Sequence, residues 1–230
     1  VYGQYNYKNP KLFNLSFGLR TTYFNELDAV RLEPRIVVYK PLLKNLKFQA
    51  TAEIKNQIIS EIDETILSDL SLENRLWRLA DGNAFPITNG QQVSAGFIYS
   101  KNRLSIDIDT YYKKLKNITA LSLGFLNPEN SSFNIGGQNI VGLDVFVKKR
   151  FNGFNSWLSY SFNKSDSKFE NLNNNKNFTS KSNISHSVST ALSYKLDGFQ
   201  FALGWKWQTG KPYTIANDSS DGLEFNDGIN

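Results

Sequence analysis

Residues 184–214 read ISHSVSTALSYKLDGFQFALGWKWQTGKPYT, and this stretch decides the fold. In its first arm, larger side chains from His186 to Leu196 alternate with small or polar ones, mostly serine. In its second arm, from Phe199 to Gln208, Phe, Leu and Trp alternate with Gln, Ala, Gly and Lys. Strict alternation predicts two strands with unlike faces. The dipeptide Asp197-Gly198 between them predicts a tight turn, because glycine adopts the positive φ that a primed hairpin turn requires.

The length of these arms separates two kinds of β-protein. Each arm alternates over roughly 10 to 13 residues, whereas soluble strands most often have about 5 to 6. A tilted strand needs about 9 to 11 residues to cross a bilayer. In a soluble sandwich the apolar face would pack against a second sheet, and in a membrane barrel it would face lipid while the polar face lines a wet lumen. Arm length and the Trp and Tyr residues near the arm ends favour the barrel.

Composition excludes several other classes. The 230 residues are 40% hydrophobic and 14% aromatic, and no uninterrupted apolar run reaches the about 18 residues that a helical membrane span needs. The chain has no cysteine, so disulfides and thiolate chemistry are absent. Its net charge of +5 comes from 26 basic and 21 acidic residues without a block of like charge, which does not indicate nucleic-acid binding. Both ends are typical of an internal piece of a longer protein, with no signal peptide in view.

The same alternation recurs along the chain and predicts about ten strands in an up-and-down meander. Short turns are expected at 9–10, 44–45, 101–103, 152–153 and 197–198. Longer connections are expected near 25–30, 57–89, 117–137 and 170–183, and all of them fall on the opposite edge. Short turns on one side and long loops on the other are the layout of an outer-membrane barrel. We therefore predict an all-β fold, an antiparallel up-and-down transmembrane β-barrel, of which 1–230 is one partial domain.

Some segments depart from the alternation. Pro34 cannot donate a ladder hydrogen bond, which predicts a bulge or an edge-like position. In 57–89 the isoleucines and leucines fall nearer helical spacing, so we expect a long loop with a short helix there. The stretch LWRLADGNAFPIT (76–88), which includes Trp77, is expected to be irregular. Gly136-Gly137 is expected to allow a bend, and 215–230 is expected to be a polar loop without a closing strand.

Several stretches together resemble TonB-dependent receptors of Bacteroidetes-type bacteria. They are LEPRI (32–36), IDIDTYYKKLKNI (106–118), GLDVFVKKRF (142–151), SWLSYSFNKS (156–165), the His186 strand and TGKPYT (209–214). The resemblance covers nearly the whole chain and corresponds to the middle-to-late part of the barrel. It implies a barrel of roughly 22 strands around an N-terminal plug domain. The plug, the TonB box and the terminal strands are expected outside this chain.

The resemblance also implies a function and partners. It implies energy-coupled uptake of a scarce nutrient such as a siderophore, glycan or peptide, with outer-membrane lipid, the TonB complex and an extracellular small ligand as partners. A surface lipoprotein or a larger membrane complex remains open as a further partner, and nucleic acid is not expected. Two alternatives stay open: a passive porin or structural barrel subunit of a surface or secretion complex, and a soluble carbohydrate-binding β-sandwich. The expected location is the bacterial outer membrane.

Candidate site residues are few. Arg75, Trp77 and Arg78 in the 57–89 loop could stack on and clamp a ligand. The charges predicted for the lumen wall are those of Glu53, Asp107, Asp109 and Lys206. We expect the two aspartates to pair with Lys or Arg on the next strand. His186 is the only histidine, so we expect no metal site, and we also expect no cofactor and no catalytic residue.

Overall fold

The computed structural model describes residues 1–9, 11–64, 77–122, 132–216 and 223–229, and these residues are mainly strands. A single path of ten strands crosses its main sheet in the order β1-β2-β3-β4-β8-β9-β10-β11-β13-β14, with neighbours antiparallel. The strands are β1 Tyr2–Asn9, β2 Phe13–Phe24, β3 Ala29–Leu43, β4 Leu46–Gln57, β5 Ile59–Glu61, β6 Asp63–Glu64, β7 Trp77–Leu79, β8 Thr88–Lys101, β9 Leu104–Ser122, β10 Ser132–Phe151, β11 Phe154–Phe169, β12 Phe178–Thr179, β13 His186–Leu196, β14 Phe199–Gln208, β15 Pro212–Ala216 and β16 Leu223–Ile229. The predicted meander of about ten strands is confirmed by this path.

Short turns join the strands at one edge of the sheet. At 152–153 and 197–198 both central residues have positive φ, 38° and 80° in the first turn and 37° and 87° in the second. Two successive positive φ values define the type I′ hairpin turn, and glycine takes the second position in both. Asn102 and Arg103 make the equivalent turn between β8 and β9 without a glycine. The hairpin predicted from residues 184–214 is therefore confirmed, with Leu196 paired to Phe199.

At the opposite edge several strands are longer than a bilayer requires. Strand β9 has 19 residues and β10 has 20, whereas about 9 to 11 suffice to cross. The expected loop at 117–137 is therefore wrong at both of its ends, where these strands extend to Ser122 and begin at Ser132, and 123–131 lie outside the described residues. Gly136 and Gly137 mark a shift in the β9–β10 register, as the predicted bend requires.

Pro34 takes the edge-like position that its missing N–H predicts. It pairs with Leu19 on β2, but β3 pairs with β4 only from Arg35 onward. From Pro34 back to Ala29 the strand therefore has a partner on one side only. On the side of β4, residue 34 needs no backbone N–H for a ladder hydrogen bond. Proline is tolerated at such a position.

Two expectations about the connections are wrong. In the described parts of 57–89 the chain forms short strands, since β5 pairs with β7 and β6 pairs with β9. Residues 65–76, which carry half of the helical spacing, lie outside the described residues, so the short helix stays a prediction there. Trp77, expected in an irregular stretch, lies in β7. Part of the expected 215–230 loop is also strand, because β15 pairs with β16. Isoleucine-rich segments of this length suit either helix or strand, so here pairing rather than periodicity decided the structure.

Alternation divides the main sheet into two faces. The apolar face carries Phe17, Ile36, Phe48, Phe97, Ile108, Val145, Leu158, Leu192 and Leu203. The polar face carries Gln4, Ser16, Arg35, Gln49, Ser94, Asp109, Asp144, Ser161 and Ser189. Large side chains of the apolar face remain exposed within this chain, such as Leu203 at 72% and Phe201 at 61%. An exposed apolar surface of this size needs a nonaqueous neighbour, which in a barrel wall is lipid.

Few apolar side chains are buried among the described residues, and their main cluster lies at the loop end of the sheet. This cluster comprises Ala120, Phe169, Leu172 and Phe178, with Ile118 packed against it. These residues come from the loop ends of β9 and β11 and from the connection between β11 and β13. The core therefore holds the long connections against the end of the wall, while ladder hydrogen bonds hold the wall itself.

Candidate functional site on the polar face and the loop end

The four predicted lumen-wall charges lie on one face of the sheet. Direct strand partners point to the same side, and the pairings Glu53 with Gln92, Asp107 with Phe146 and Asp109 with Asp144 connect these positions across the polar face. Lys206 joins the same face through Ser189 and Ser159. Lys206 lies on β14, four strands away from Asp107 on β9. The four charges therefore form no single cluster.

Asp109 reaches across a neighbouring strand to an amide. Gln49 Nε2 donates to both carboxylate oxygens of Asp109, each at 3.0 Å. Gly96 lies between them on β8, and a Cβ there would stand 2.1 Å from Asp109 Oδ1. The missing side chain of Gly96 thus leaves the space that the Asp109 carboxylate occupies.

The expectation that both aspartates pair with a cation is wrong. Asp109 bonds to Gln49, and within the described residues Asp107 Oδ1 is shielded from solvent without a hydrogen-bond partner. The two strands beside Asp109 present Asp144 on β10 and Gly96 on β8 at the paired positions, rather than Lys or Arg. Alternation places side chains on a face, but it does not reveal which strand positions will be neighbours.

Ion pairs gather instead toward the loop end of β2, β3 and β4. Arg20 Nε lies 3.5 Å from Glu33 Oε2, and Arg35 Nε lies 3.6 Å from Glu53 Oε2. Lys55 Nζ lies 2.9 Å from Glu53 Oε1. Glu53 is therefore the shared anion of a small network on the polar face, and its side chain is only 16% exposed.

A polar groove of 270 Å³ adjoins this network. Glu53, Lys55, Gln92 and Lys113 line it, and Gly90 lies among them. These five residues all belong to the polar face of β4, β8 and β9. Two lysines, a carboxylate and an amide offer charge and hydrogen bonds to a polar ligand. The sequence points to Glu53 but not to Lys113, because the register that brings Lys113 beside Gln92 is not visible in the sequence.

The predicted ligand-clamping residues are only partly placed. Trp77 and Arg78 lie in the short strand β7, where they pair with Glu61 and Ser60. Trp77 is 52% exposed, so its ring is accessible to a stacking partner. Arg75 lies outside the described residues. The clamp remains a prediction.

A turn next to β7 is held by a carboxylate. Asp81 Oδ1 accepts hydrogen bonds from the backbone N–H groups of Asn83 at 2.8 Å and Phe85 at 2.9 Å. The bond from Phe85 and then that from Asn83 hold the pKa of Asp81 below its usual value, because both stabilise the charged form. This turn connects β7 to β8 on the loop side of the wall.

His186 makes aromatic and polar contacts at the loop end of β13. Its Nδ1 lies 3.0 Å from Tyr160 Oη, and its ring packs against Phe162 at 5.3 Å. No group of three or more His, Asp or Glu side chains able to hold a metal ion occurs among the described residues. Likewise, no helix in the described segments is long and apolar enough to cross a membrane.

Comparison with known proteins identifies the fold. No protein-family model matches the chain, and no curated protein matches its sequence. Among solved structures, the FrpB iron transporter from Neisseria meningitidis (F3-3 variant) superposes with a TM-score of 0.64 at 14% identity, over 97% of this chain and 35% of that one. The FpvAI–pyocin S2 complex gives a TM-score of 0.66 at 15% identity, over 97% of this chain and 30% of that one.

These similarities confirm the predicted fold class. The chain spans about a third of the length of these structures, which are TonB-dependent receptors and transporters. Its fold is therefore a partial antiparallel transmembrane β-barrel like theirs. Barrels of this type belong to the bacterial outer membrane, in agreement with the predicted location.

Proposed function

We propose that this chain is part of the wall of a TonB-dependent outer-membrane receptor that imports a scarce nutrient with energy from the TonB system. The supporting observation is the wall itself, whose strand path matches an iron transporter over 97% of the chain. In this proposal the wall surrounds a plug encoded elsewhere in the parent protein, and the protein has a transport role rather than a catalytic one.

The groove at Glu53 and Lys113 suggests a class of ligand. Lys113 lines it together with Gln92 and with Lys55, whose ammonium group is paired with Glu53. Lysine is a point charge that attracts phosphate or carboxylate groups. We infer that the ligand carries acidic or chelating oxygen groups, as a ferric siderophore does. Glycan and peptide ligands remain alternatives, and the likeness to FpvAI in complex with pyocin S2 extends the proposal to a protein bound at the outer loops.

Uptake by the full-length parent protein tests the ligand class. The probe is radioactive iron supplied as anionic ferric siderophores to cells with and without functional TonB. We expect uptake only with TonB, and we expect Lys113→Ala to reduce it about 10-fold. Lys148→Ala is the matched control, because Lys148 lies on the same face beside Ser105 near the short turns. Equal uptake without TonB would contradict the proposal.

Planar-bilayer conductance separates the receptor from a passive porin. A wall closed around a plug should give no steady current, whereas a porin or an unplugged structural barrel should give stable open channels. Purified full-length protein is measured, with a variant that lacks only the plug domain as the positive control. A stable conductance in the undeleted protein would favour the porin.

A further inference from the structure

The apolar face ends in a cluster of lysines on β9 and β11. Three successive rows of direct strand partners cross β9, β10 and β11 at this level. They are Lys116–Gly137–Lys168, then Lys114–Asn139–Asp166, then Tyr112–Val141–Lys164. Partners in one row point to the same side of the sheet, so Lys114, Lys116, Lys164 and Lys168 share the apolar face. We call these four residues the lysine cluster.

The lysine cluster begins where the apolar surface stops. The next row toward the short turns is Thr110–Leu143–Phe162, and beyond it come Ile108, Val145 and Tyr160. Beside these rows lies a trough of 520 Å³, whose lining includes Val93, Ala95, Tyr112, Val141 and Phe162. An apolar trough with cations at one end matches an amphiphile whose chain is apolar and whose head is anionic.

Negative charge near the cluster is insufficient to neutralise it. Lys164 Nζ lies 3.6 Å from Asp166 Oδ2. Glu170 lines a groove of 440 Å³ along the Gly136–Gly137 step, and Lys114, Lys116 and Lys168 line the same groove. These three lysines form no ion pair within the described part of the chain, and Lys114, Lys116 and Lys168 are all exposed. Gly137 stands between Lys116 and Lys168 and lines the same groove, so no side chain separates the two lysines along it.

The opposite end of the same face offers a comparison. There Lys101 and Lys149 flank Leu104 in one row, much as Lys116 and Lys168 flank Gly137. Lys149 Nζ, however, donates to Asn102 O at 3.3 Å, so it is already used by the β8–β9 turn. Leu104 also places a side chain between Lys101 and Lys149, where Gly137 has none between Lys116 and Lys168. This pair has the charge, but one of its two ammonium groups is already bonded and a side chain separates them.

We propose that the lysine cluster and the apolar trough bind a phosphate-bearing lipid of the outer leaflet, with the phosphate between Lys114, Lys116 and Lys168 and an acyl chain along the trough. The proposal rests on the proposed function in one respect, namely that the long connections face the cell exterior. A lipid is the occupant that the surface favours, because the cations lie at the height where the apolar band gives way to headgroups. Lysine ammonium groups bind phosphate as point charges.

Lipid binding to the full-length protein in nonionic detergent tests this proposal. The probe is lipid A carrying both phosphates, and native mass spectrometry measures its retention. We expect the variant K114A/K116A/K168A to bind at least 10-fold more weakly and K114R/K116R/K168R to bind like the wild type. The matched control K101A/K149A should also bind like the wild type. Heat-dependent gel mobility confirms that each variant is folded, and single Lys→Gln substitutions, each with a partial loss, replace the triple variant if it does not fold.

The proposal would be overturned by wild-type binding of the triple alanine variant, by an equal loss in K101A/K149A, or by equal retention of dephosphorylated lipid A. Displacement by millimolar inorganic phosphate alone would also overturn it, by showing that the trough adds nothing. A porin would still bind the lipid, so failure of the transport proposal is distinguishable: uptake would be lost while lipid binding stays. A protein absent from the outer-membrane fraction would overturn both proposals.

Discussion

The two faces of the sheet consist of alternate residues of the same strands, yet different contacts stabilise them. On the polar face, side chains bond to one another, as Gln49 does to Asp109 and as Thr51 does to Ser94 at 2.6 Å. On the apolar face the contacts are rings, such as Phe48 with Phe97 at 5.4 Å and Phe154 with Tyr194 at 4.1 Å. The polar face satisfies many of its groups through bonds between side chains, with Asp107 Oδ1 an exception, whereas the apolar face depends on the lipid outside. Matched substitutions on the two faces should therefore change the free energy of unfolding by unequal amounts.

The largest effect is expected for a charge on the apolar face. Leu158→Arg in the full-length protein should lower the free energy of unfolding by about 2–4 kcal/mol, because it places a cation in the hydrocarbon region. Leu158 is 44% exposed within the chain, so steric overlap is not the cause. The control is Ser159→Arg, one residue away on the polar face, with an expected change below about 1 kcal/mol. Urea-dependent folding into phospholipid vesicles measures both, and equal losses would show that the faces are not separated by lipid and water.

A smaller effect is expected when the polar face is overfilled. Gly96→Ala should lower the free energy of unfolding by about 1–3 kcal/mol, because the new Cβ would stand 2.1 Å from Asp109 Oδ1 and 2.4 Å from the Ile108 carbonyl oxygen. Gly204→Ala is the control on the same face, since its nearest neighbour is the Thr190 carbonyl oxygen at 4.0 Å. The same vesicle assay applies. A loss in Gly204→Ala as large as that in Gly96→Ala would contradict the role of Gly96 as a gap for the carboxylate.

Removing a polar contact should lower the free energy of unfolding less than overfilling the space around it. Gln49→Leu should lower the free energy of unfolding by about 1 kcal/mol, because the Asp109 carboxylate loses both of its bonds to Nε2 but can recruit water from the lumen. Gln91→Leu on the apolar face of β8 is the control, with an expected change within about 0.5 kcal/mol. Within the described segments, the side chain of Gln91 bonds to that of Asn89 alone, at 3.1 Å. Larger destabilisation by Gln91→Leu would reverse the assignment of the faces.

The smallest effect is expected at the rim of the apolar face. Tyr160→Phe removes the hydrogen bond to His186 Nδ1 and should lower the free energy of unfolding by about 0.5–1 kcal/mol. Tyr194→Phe is the control, because Tyr194 contributes mainly through its stacked contact with Phe154, and it should leave stability unchanged. Thermal unfolding in detergent compares the two variants. Identical midpoints in both variants and the wild type would mean that the rim hydrogen bond contributes nothing.

Much of the wall could be predicted because period-2 alternation depends only on neighbouring residues. The Asp197-Gly198 and Asn152-Gly153 turns were predicted for a similar reason, since positive φ is a local property. The connections were predicted less well. Residues 59–64 and Trp77 have no alternation long enough to indicate a strand, and they pair because the neighbouring chain presents an edge to them.

The site depended still more on tertiary structure. The sequence indicated which face Glu53, Asp107, Asp109 and Lys206 would occupy, but not that Asp109 would bond to Gln49 or that Lys113 would line a groove with Glu53. Nor did it indicate the lysine cluster, because Lys116 and Lys168 are neighbours only through their shared partner Gly137.

The sequence by itself determined the class of fold, the two unlike faces and the positions of the tight turns, since each of these follows from local alternation and from backbone conformation. Only the tertiary structure decided the register, and with it which residues of different strands meet. The physical reason is that a strand satisfies its hydrogen bonds with whichever partner lies beside it. A one-residue shift of a strand would move every side chain to the other face, so the partners of Asp109 and the rows of lysines are known only once all ten strands are paired.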